Sequence, residues 1–493
     1  MARCNQATNE QSLKETPVRI EATVRFTRMT SKIPEEGDWE RLSRLGLVAL
    51  LLGVVVGCAA GFLVAGEPAA GQLHVGWATV DITPSARVVL DGSGYKRVTR
   101  QVEDPVTATV LALETRDGDR VIEQAAMISF DLVRMTKEVQ EGLQREAAKR
   151  LKDFDSGKLF CAATHTHCGP SISYERTGPG QLYDISKETD VMTPQQYILL
   201  LYERVGAGIM EAWQGRKPAG MSWGLGHAAV GYNRRLSYAD GSAIMGFDTA
   251  RPDFSHIEGS DDHAVEMLFF WDADKKLTGM LLNLACPSQV GRKAISADFW
   301  HPIRQGIKAK YGPKIHVFGQ CAAAGDQCPD PIVRNKAEKV MTERRKTSWK
   351  QELANRVLRA VEDVWPCAQA DVQTRLVFGH RTIKMDIPNK NSYNEARWMP
   401  SMVPVEFHVL RLGDVAMATN PFELFLDYGI QIKGRSKAVL TFISQLTCDS
   451  QGYLPTRRAV AGGDYSAVNH TVGPIGGRVL VDESVKAINS LWP

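Results

Sequence analysis

The sequence predicts an α/β protein in which mixed β-sheets are layered with helices, built as a single large domain. Three observations carry this. Short apolar or alternating runs bounded by turn residues recur along the chain and read as strands, and stretches with helical spacing fall between several of them. No internal repeat, low-complexity tract or linker follows Gly71. The 493 residues are 44% hydrophobic and 23% charged, which supplies material for a large core.

Taken in order, His74 leads into an alternating strand, Val75 to Pro84, which the proline stops. Asp91-Gly-Ser-Gly-Tyr95 reads as a turn. Val106 to Glu114 and Ala125 to Phe130 are strands joined through Arg116-Asp-Gly-Asp-Arg120, and Asp131 ends the second. Thr136 to Leu151 has helical spacing and returns the chain to a short apolar strand, Lys158 to Ala163, giving one strand-helix-strand unit. Thr177 to Thr193 is a Gly-rich polar loop, suited to the rim of a site. A helix is expected over Pro194 to Trp213, with Ile198, Leu201 and Val205 inward. Val265 to Trp271 and Thr278 to Ala285 form a hairpin around Asp272-Ala-Asp-Lys275. Phe299 to Tyr311 reads as a helix, Lys314 to Gly319 as a strand and Ala322 to Pro329 as a tight loop. Lys336 to Val364 reads as one long charged helix. The chain then returns to strands, including Val403 to Leu410 and Val415 to Thr419.

Residues 1–44 form a polar leader without sustained period, followed by an uncharged segment, 45–66, with Arg41 and Arg44 on its amino side. Basic flank, apolar centre and small residues at the far end fit an export signal or an uncleaved anchor helix. Val55-Val56-Gly57-Cys58 resembles a lipoprotein cleavage box, which would put a lipid on Cys58. The expected location is therefore periplasmic, cell-surface or secreted. Of nine cysteines, Cys4 and Cys58 lie in the leader region, and the remaining seven are an odd number, read as site residues or small buried hydrophobes. A net charge of +3 on 59 basic and 56 acidic residues leaves no footprint for nucleic acid. Nothing in the sequence specifies an oligomeric state.

The chemistry gathers on Cys161-Ala-Ala-Thr-His-Thr-His-Cys-Gly-Pro170, where a strand runs into a loop. Alternation in an extended segment would put His165 and His167 on one side, so that one could hold a metal while the other acts on a substrate. Read singly, other candidates have plain alternatives. Arg234 suits an ion pair with Asp261 or Asp262, Glu423 a surface carboxylate and Tyr453 a core position. Asp81, Asp131, Asp298 and Asp326 read as loop-fixing residues.

Seven motifs occur in one order: Val80-Asp-Ile-Thr-Pro84, Ala163-Thr-His-Thr-His-Cys-Gly-Pro170, Tyr232-Asn-Arg234, Asn283-Leu-Ala-Cys-Pro287 with Ile295-Ser-Ala-Asp298, Ala324-Gly-Asp-Gln-Cys-Pro329, Asn420-Pro-Phe-Glu423 and Gly452-Tyr-Leu-Pro-Thr456. That series resembles the neutral, non-lysosomal ceramidase family, from Val75 to the end of the chain, without that family's immunoglobulin-like carboxy-terminal domain. The resemblance makes residues 67–493 a ceramidase-like zinc hydrolase domain. It implies Zn2+ held by His165, Cys286, Glu423 and Tyr453, with cysteine standing at 286 where the family has histidine. Thiolate is a good zinc ligand at about 2.3 Å, against about 2.0–2.1 Å for imidazole, and adds negative charge to the metal. Cys328 stands where the family has serine, as anchor or nucleophile. His167, Arg234 and Tyr465 match without departure and by resemblance polarise the amide carbonyl or stabilise its oxyanion.

The function so implied is a zinc-dependent amidase that hydrolyses the N-acyl bond of ceramide or another N-acylated amphiphile with a zinc-activated water, working at a membrane surface. Two alternatives stand beside it: a hydrolase of another N-acyl or sugar-amide substrate, and a catalytically silent relative that binds lipid or glycan. Cys286 is either a zinc ligand or the disulfide partner of Cys328.

Overall fold

Eight strands build the main sheet of a computed structural model that describes residues 69–390 and 402–493. The polar leader, the apolar segment 45–66 and Cys58 lie outside the described residues. In chain order the strands are β1 (Gly71–Asp81), β2 (Thr107–Asp117), β3 (Arg120–Phe130), β4 (Leu159–Ala163), β5 (Lys217–His227), β6 (Ala264–Asp272), β7 (Leu277–Leu284) and β8 (His316–Cys321). They lie in the order β8-β7-β6-β5-β1-β2-β3-β4, with the short strand Arg375–Leu376 added on β1. β3 with β4 and β7 with β8 run parallel, and the other main pairs are antiparallel. The sheet is therefore mixed, as expected. The crossover from β3 to β4 is α1 (Lys137–Arg150), capped by the Thr136 hydroxyl.

Alternation along the strands gives the sheet two apolar faces. One is covered by α1 and α2 (Pro194–Gln214) at one end, where Val110, Ile128, Leu143, Leu201 and Val205 share a core. The other end of that face carries α3 (Trp300–Tyr311) and α5 (Trp349–Ala370), packed on Met267, Phe269 and Leu282. The opposite face meets a second sheet of β9 (Phe378–Pro388), β10 (Met402–Leu412), β11 (Val415–Thr419) and β12 (Leu440–Ser444). Leu111, Phe270 and Phe318 pack there against Leu410, Met417 and Phe442. The far side of this sheet is closed by α6 (Leu426–Arg435) and α7 (Gly473–Asn489). Helices, sheet, sheet and helices make four layers, the arrangement that buries both faces of both sheets.

Three expectations need correction. The charged stretch 336–364 is two helices, α4 (Asn335–Arg344) and α5, because Lys346 turns left-handed with φ 53° and Ser348 caps a new start on Gln351 N–H. The end of the chain is helical as well as stranded, through α6 and α7. Cys286 and Cys328 are both free thiols, so the disulfide alternative is not formed. Among the described residues no helix is long and apolar enough to cross a membrane.

Candidate active site

β4 ends at Ala163, and His165 then turns left-handed with φ 61°. The two histidines converge, their ring centroids 4.9 Å apart and nearly perpendicular. The turn brings them together, not the alternation expected of an extended segment. His165 Nδ1 lies 2.5 Å from the Val133 carbonyl, and Nε2 lies 3.5 Å from Glu423 Oε2. With Nδ1–H donating to that carbonyl, Nε2 faces the carboxylate, as a donor to it when protonated and as an electron pair for a metal when not. His167 packs on Gly92, whose φ of +89° and lack of a Cβ make room: an added Cβ would sit 2.7 Å from the imidazole Cγ. Its Nε2 is buried without a hydrogen-bond partner. Burial, the neighbouring His165 and Arg234 hold its pKa well below the ordinary 6.5, so the ring is neutral.

Glu423 and Tyr453 are brought side by side by two short strands, Glu423–Leu424 and Tyr453–Leu454, that pair in parallel with these residues in register. Burial alone would raise the Glu423 carboxyl, but the hydrogen bond and charge of His165, the Arg134 guanidinium and the Tyr453 hydroxyl bring it down to about 2. It is a carboxylate at any working pH. Tyr453 is pushed well above its usual value by burial and then by Glu423, and its ring meets that of Tyr465 at 5.8 Å.

Arg234 follows Tyr232–Asn233, which pairs with Gln327–Cys328, and its backbone N–H donates to Asp326 at 2.9 Å. The guanidinium is buried and Nε has no partner. Burial works against its charge, yet Tyr453, Tyr465, Cys328 and Glu423 together raise its pKa. The ion-pair alternative falls away, because Asp261 accepts from Asn233 N–H at 2.7 Å and Asp262 pairs with Lys433 at 2.9 Å. Tyr465 is 40% exposed, with its hydroxyl 3.6 Å from Met245 Sδ. Thus His165, Glu423, Tyr453, His167, Arg234 and Tyr465 gather in one place.

The two cysteines sit differently. The Cys286 thiol is fully buried in the core under α3 and donates to the Val230 carbonyl at 3.1 Å. Burial pushes its pKa well above the thiol range. It does not join His165 and Glu423 in a common donor cluster: among the described residues the one such cluster of three lies elsewhere, at Glu406, His408 and Cys448. A thiol ends one bond beyond Cβ, where an imidazole would carry its nitrogen further. Cys328 lies beside Arg234, donates to the Asp330 carbonyl at 3.3 Å and is pushed by burial to about 12.

Two further residues, Arg134 and Asp91, border the site. Arg134, partly buried, lies 3.3 Å from Asp91 and extends its charge to Glu423 and Tyr453. Asp91 is fully buried; desolvation raises its pKa, but Arg134, Arg176, the Gly92 N–H and Tyr183 outweigh it and keep it ionised. The available signals were a lone arginine just after an apolar strand and an aspartate beside a glycine needed for close approach. Arg134 also lines a cavity of about 350 Å³ with Tyr174 and Arg176. The four loop aspartates do fix loops: Asp131 takes two bonds from Arg304 at 2.6 and 2.9 Å, Asp326 accepts from Leu426 N–H at 2.9 Å, Asp298 accepts from Gly291 and Phe299 N–H, and Asp81 from Thr83 N–H.

His165 Nε2, the ionised Glu423 and the Tyr453 hydroxyl are a nitrogen and oxygen donor set that fits a zinc ion, with Cys286 outside it.

The architecture around this site defines a known class, the fold of the ceramidases. The chain matches the neutral ceramidase of Pseudomonas aeruginosa with a TM-score of 0.64 and 15% identity, over 85% of this chain and 75% of that one. A ceramidase complexed with C2 matches with a TM-score of 0.63 and 14% identity, over the same shares. The ceramidase-like fold expected from the motif order is therefore present, in a divergent sequence. No protein-family model and no curated protein sequence matches the chain.

Proposed function

We propose that the protein is a zinc-dependent amidase that hydrolyses the N-acyl bond of ceramide-like lipids. The observation that carries this is the meeting of His165, Glu423 and Tyr453 beside Arg234 and His167, within a fold shared with ceramidases. His165, Glu423 and Tyr453 would hold the metal. Zinc, when bound, supplies Lewis acidity and a water that ionises near neutral pH.

The chain's own groups account for the remaining work. Arg234, charged and with a free Nε, faces the developing oxyanion of the acyl carbon from a site shielded from water. His167, neutral and with Nε2 unpartnered, takes or delivers a proton there. Tyr465 sits at the solvent side with a phenol able to donate to substrate. Cys328, protonated near neutrality and fully buried, gives its proton to the Asp330 carbonyl and does not attack. Export through residues 45–66 and work at a membrane surface belong to the same proposal, since an N-acylated amphiphile resides there.

The neutral thiols at 286 and 328 favour one second reading, a silent lipid-binding relative. Zinc analysis combined with turnover of a fluorogenic N-acyl sphingosine panel of varied chain length separates the two. Bound zinc with turnover supports the amidase. Bound zinc with no turnover of any N-acyl substrate leaves the silent relative.

A further inference from the structure

On β10, Glu406 and His408 are two residues apart, so alternation places both side chains on one face of the strand. Cys448, which turns left-handed with φ 67° on the loop after β12, brings its thiol to the same spot. One donor atom from each of the three lies within 4.8 Å of the other two. His408 and Cys448 are buried, and Glu406 is partly so.

The surroundings hold these donors in place. His408 Nδ1 is 2.9 Å from His380 Nε2 and 3.4 Å from the Thr382 hydroxyl, while Nε2 is 3.3 Å from Glu406 Oε1. The tautomer that donates from Nδ1 to His380 leaves the Nε2 electron pair directed at the carboxylate. Phe160 stacks on the His408 ring at 4.6 Å and fixes its plane. The other carboxylate oxygen is taken by Lys384 at 3.0 Å, so Oε1 is the oxygen left for a ligand. A cavity of about 340 Å³ opens onto Glu406 and Cys448. Its walls add Glu141, Asp386 and Asp449 against Lys137 and Lys384, so the entrance favours a cation. None of these residues has a part in the amidase reading.

We propose that Glu406, His408 and Cys448 form a second metal site, for a divalent cation of the zinc class, with one coordination position facing the cavity. The donor set decides the class. One sulfur, one nitrogen and one oxygen suit a borderline ion, whereas calcium and magnesium take oxygen donors and copper(I) takes softer, sulfur-rich sets. Binding releases the thiol proton to solvent and ties the loop after β12 to the middle of β10. The site stands whether or not the amidase reading does.

The test uses the full chain carrying His165→Ala and Glu423→Gln, so that the other candidate site cannot hold metal. The protein is stripped of metal and titrated with Co2+, whose bond to a thiolate gives a charge-transfer absorption in the near ultraviolet. The expected result is a band that saturates at one cobalt per chain, is displaced by Zn2+, disappears in Cys448→Ser and persists in Cys286→Ser. A band that survives Cys448→Ser, or a folded protein that gives no band, overturns the proposal. Should Cys448→Ser fail to fold, Glu406→Gln decides: cobalt affinity lowered tenfold or more supports the site, and unchanged affinity overturns it.

Discussion

Glu423 and Asp298 are two carboxylates largely withdrawn from water, Asp298 completely and Glu423 with 14% of its side chain exposed, yet their environments drive them in opposite directions. Glu423 is brought down to about 2 because His165, Arg134 and Tyr453 outweigh its burial. Asp298 is pushed up to about 6 because burial is opposed only by the Gly291 and Phe299 N–H groups and a more distant Lys350. Desolvation acts on both, and the partners decide the outcome. The same division separates the donors around Glu423 from the thiols near Asp298. Around the first, polar atoms are aimed at one another and remain partly unsatisfied. Around the second, Cys286 and Cys168 are protonated and bonded or packed as small hydrophobes, with Cys168 pushed by burial and Asp298 to about 12. One group of side chains is poised for an ion and the other is closed as core.

The largest effect expected to test this contrast comes from removing a donor. His165→Ala or Glu423→Ala should lose one zinc per chain, keeping any held by Glu406, His408 and Cys448, and lower N-acyl hydrolysis by on the order of 10³-fold, since metal catalysis supplies several kcal/mol of barrier lowering. Metal analysis checks it, and full zinc in both variants would break the comparison at its charged side.

Next in size, Arg234→Ala should keep its zinc and lose about 10²–10³-fold in kcat, the usual cost of removing one oxyanion donor. Steady-state kinetics beside metal analysis reads both quantities; loss of zinc together with activity would make Arg234 a structural prop.

The pH response sharpens the contrast further. Asp298 has its folded pKa raised from 3.8 to about 6, so its contribution to stability is present below the unfolded value and lost as pH rises through the folded one. Stability of the metal-free protein should therefore fall by roughly 3 kcal/mol between those pH values from this residue, at 1.36 kcal/mol per unit. Glu423 has the opposite sign: its contribution is present above 4.5 and lost as pH falls toward 2. Asp298→Asn keeps an acceptor and tolerates the φ of 57°, so urea midpoints measured across the window should lose that slope. An unchanged slope would mean that Asp298 is ionised in the native state.

The smallest effect is expected at Cys286→Ser, which retains a donor for the Val230 carbonyl. Zinc affinity should change by less than about twofold, within the scatter of an unrelated core site. A tenfold loss in a metal titration would show that the thiol swings into the donor group, and the two sides would then be one.

Much of the main sheet was legible because its strands are apolar runs bounded by turn residues, as in β2, β3 and the β6–β7 hairpin, and because α1 has clear helical spacing. β5 was not read as a strand because Gly220, Gly224 and Gly226 weaken the pattern. The structure gives the reason: a Cβ on Gly224 would come within 2.0 Å of Val364 in α5, so glycine is what lets the helix lie on the sheet. α7 hid for a related reason, since Gly473-Pro-Ile-Gly-Gly477 reads as a loop while Gly477 makes room for Tyr428. The break between α4 and α5 carries no glycine or proline at all. At the site, the identities of His165, Glu423, Tyr453, His167 and Arg234 came from motif order. The left-handed turn at His165 and the buried Asp91–Arg134 pair are products of tertiary packing, which local pattern does not carry.

The parallel pairing of Glu423 with Tyr453, and the approach of Glu423 to His165, join segments that lie far apart along the chain. Contacts of this kind close large loops and form slowly, after local hairpins and helices are in place. During synthesis the histidine loop emerges and folds against β3 long before Glu423 and Tyr453 have been made. The proposed site therefore comes into being last, when the carboxy-terminal layer docks, and a chain lacking that layer holds only His165 of the three donors.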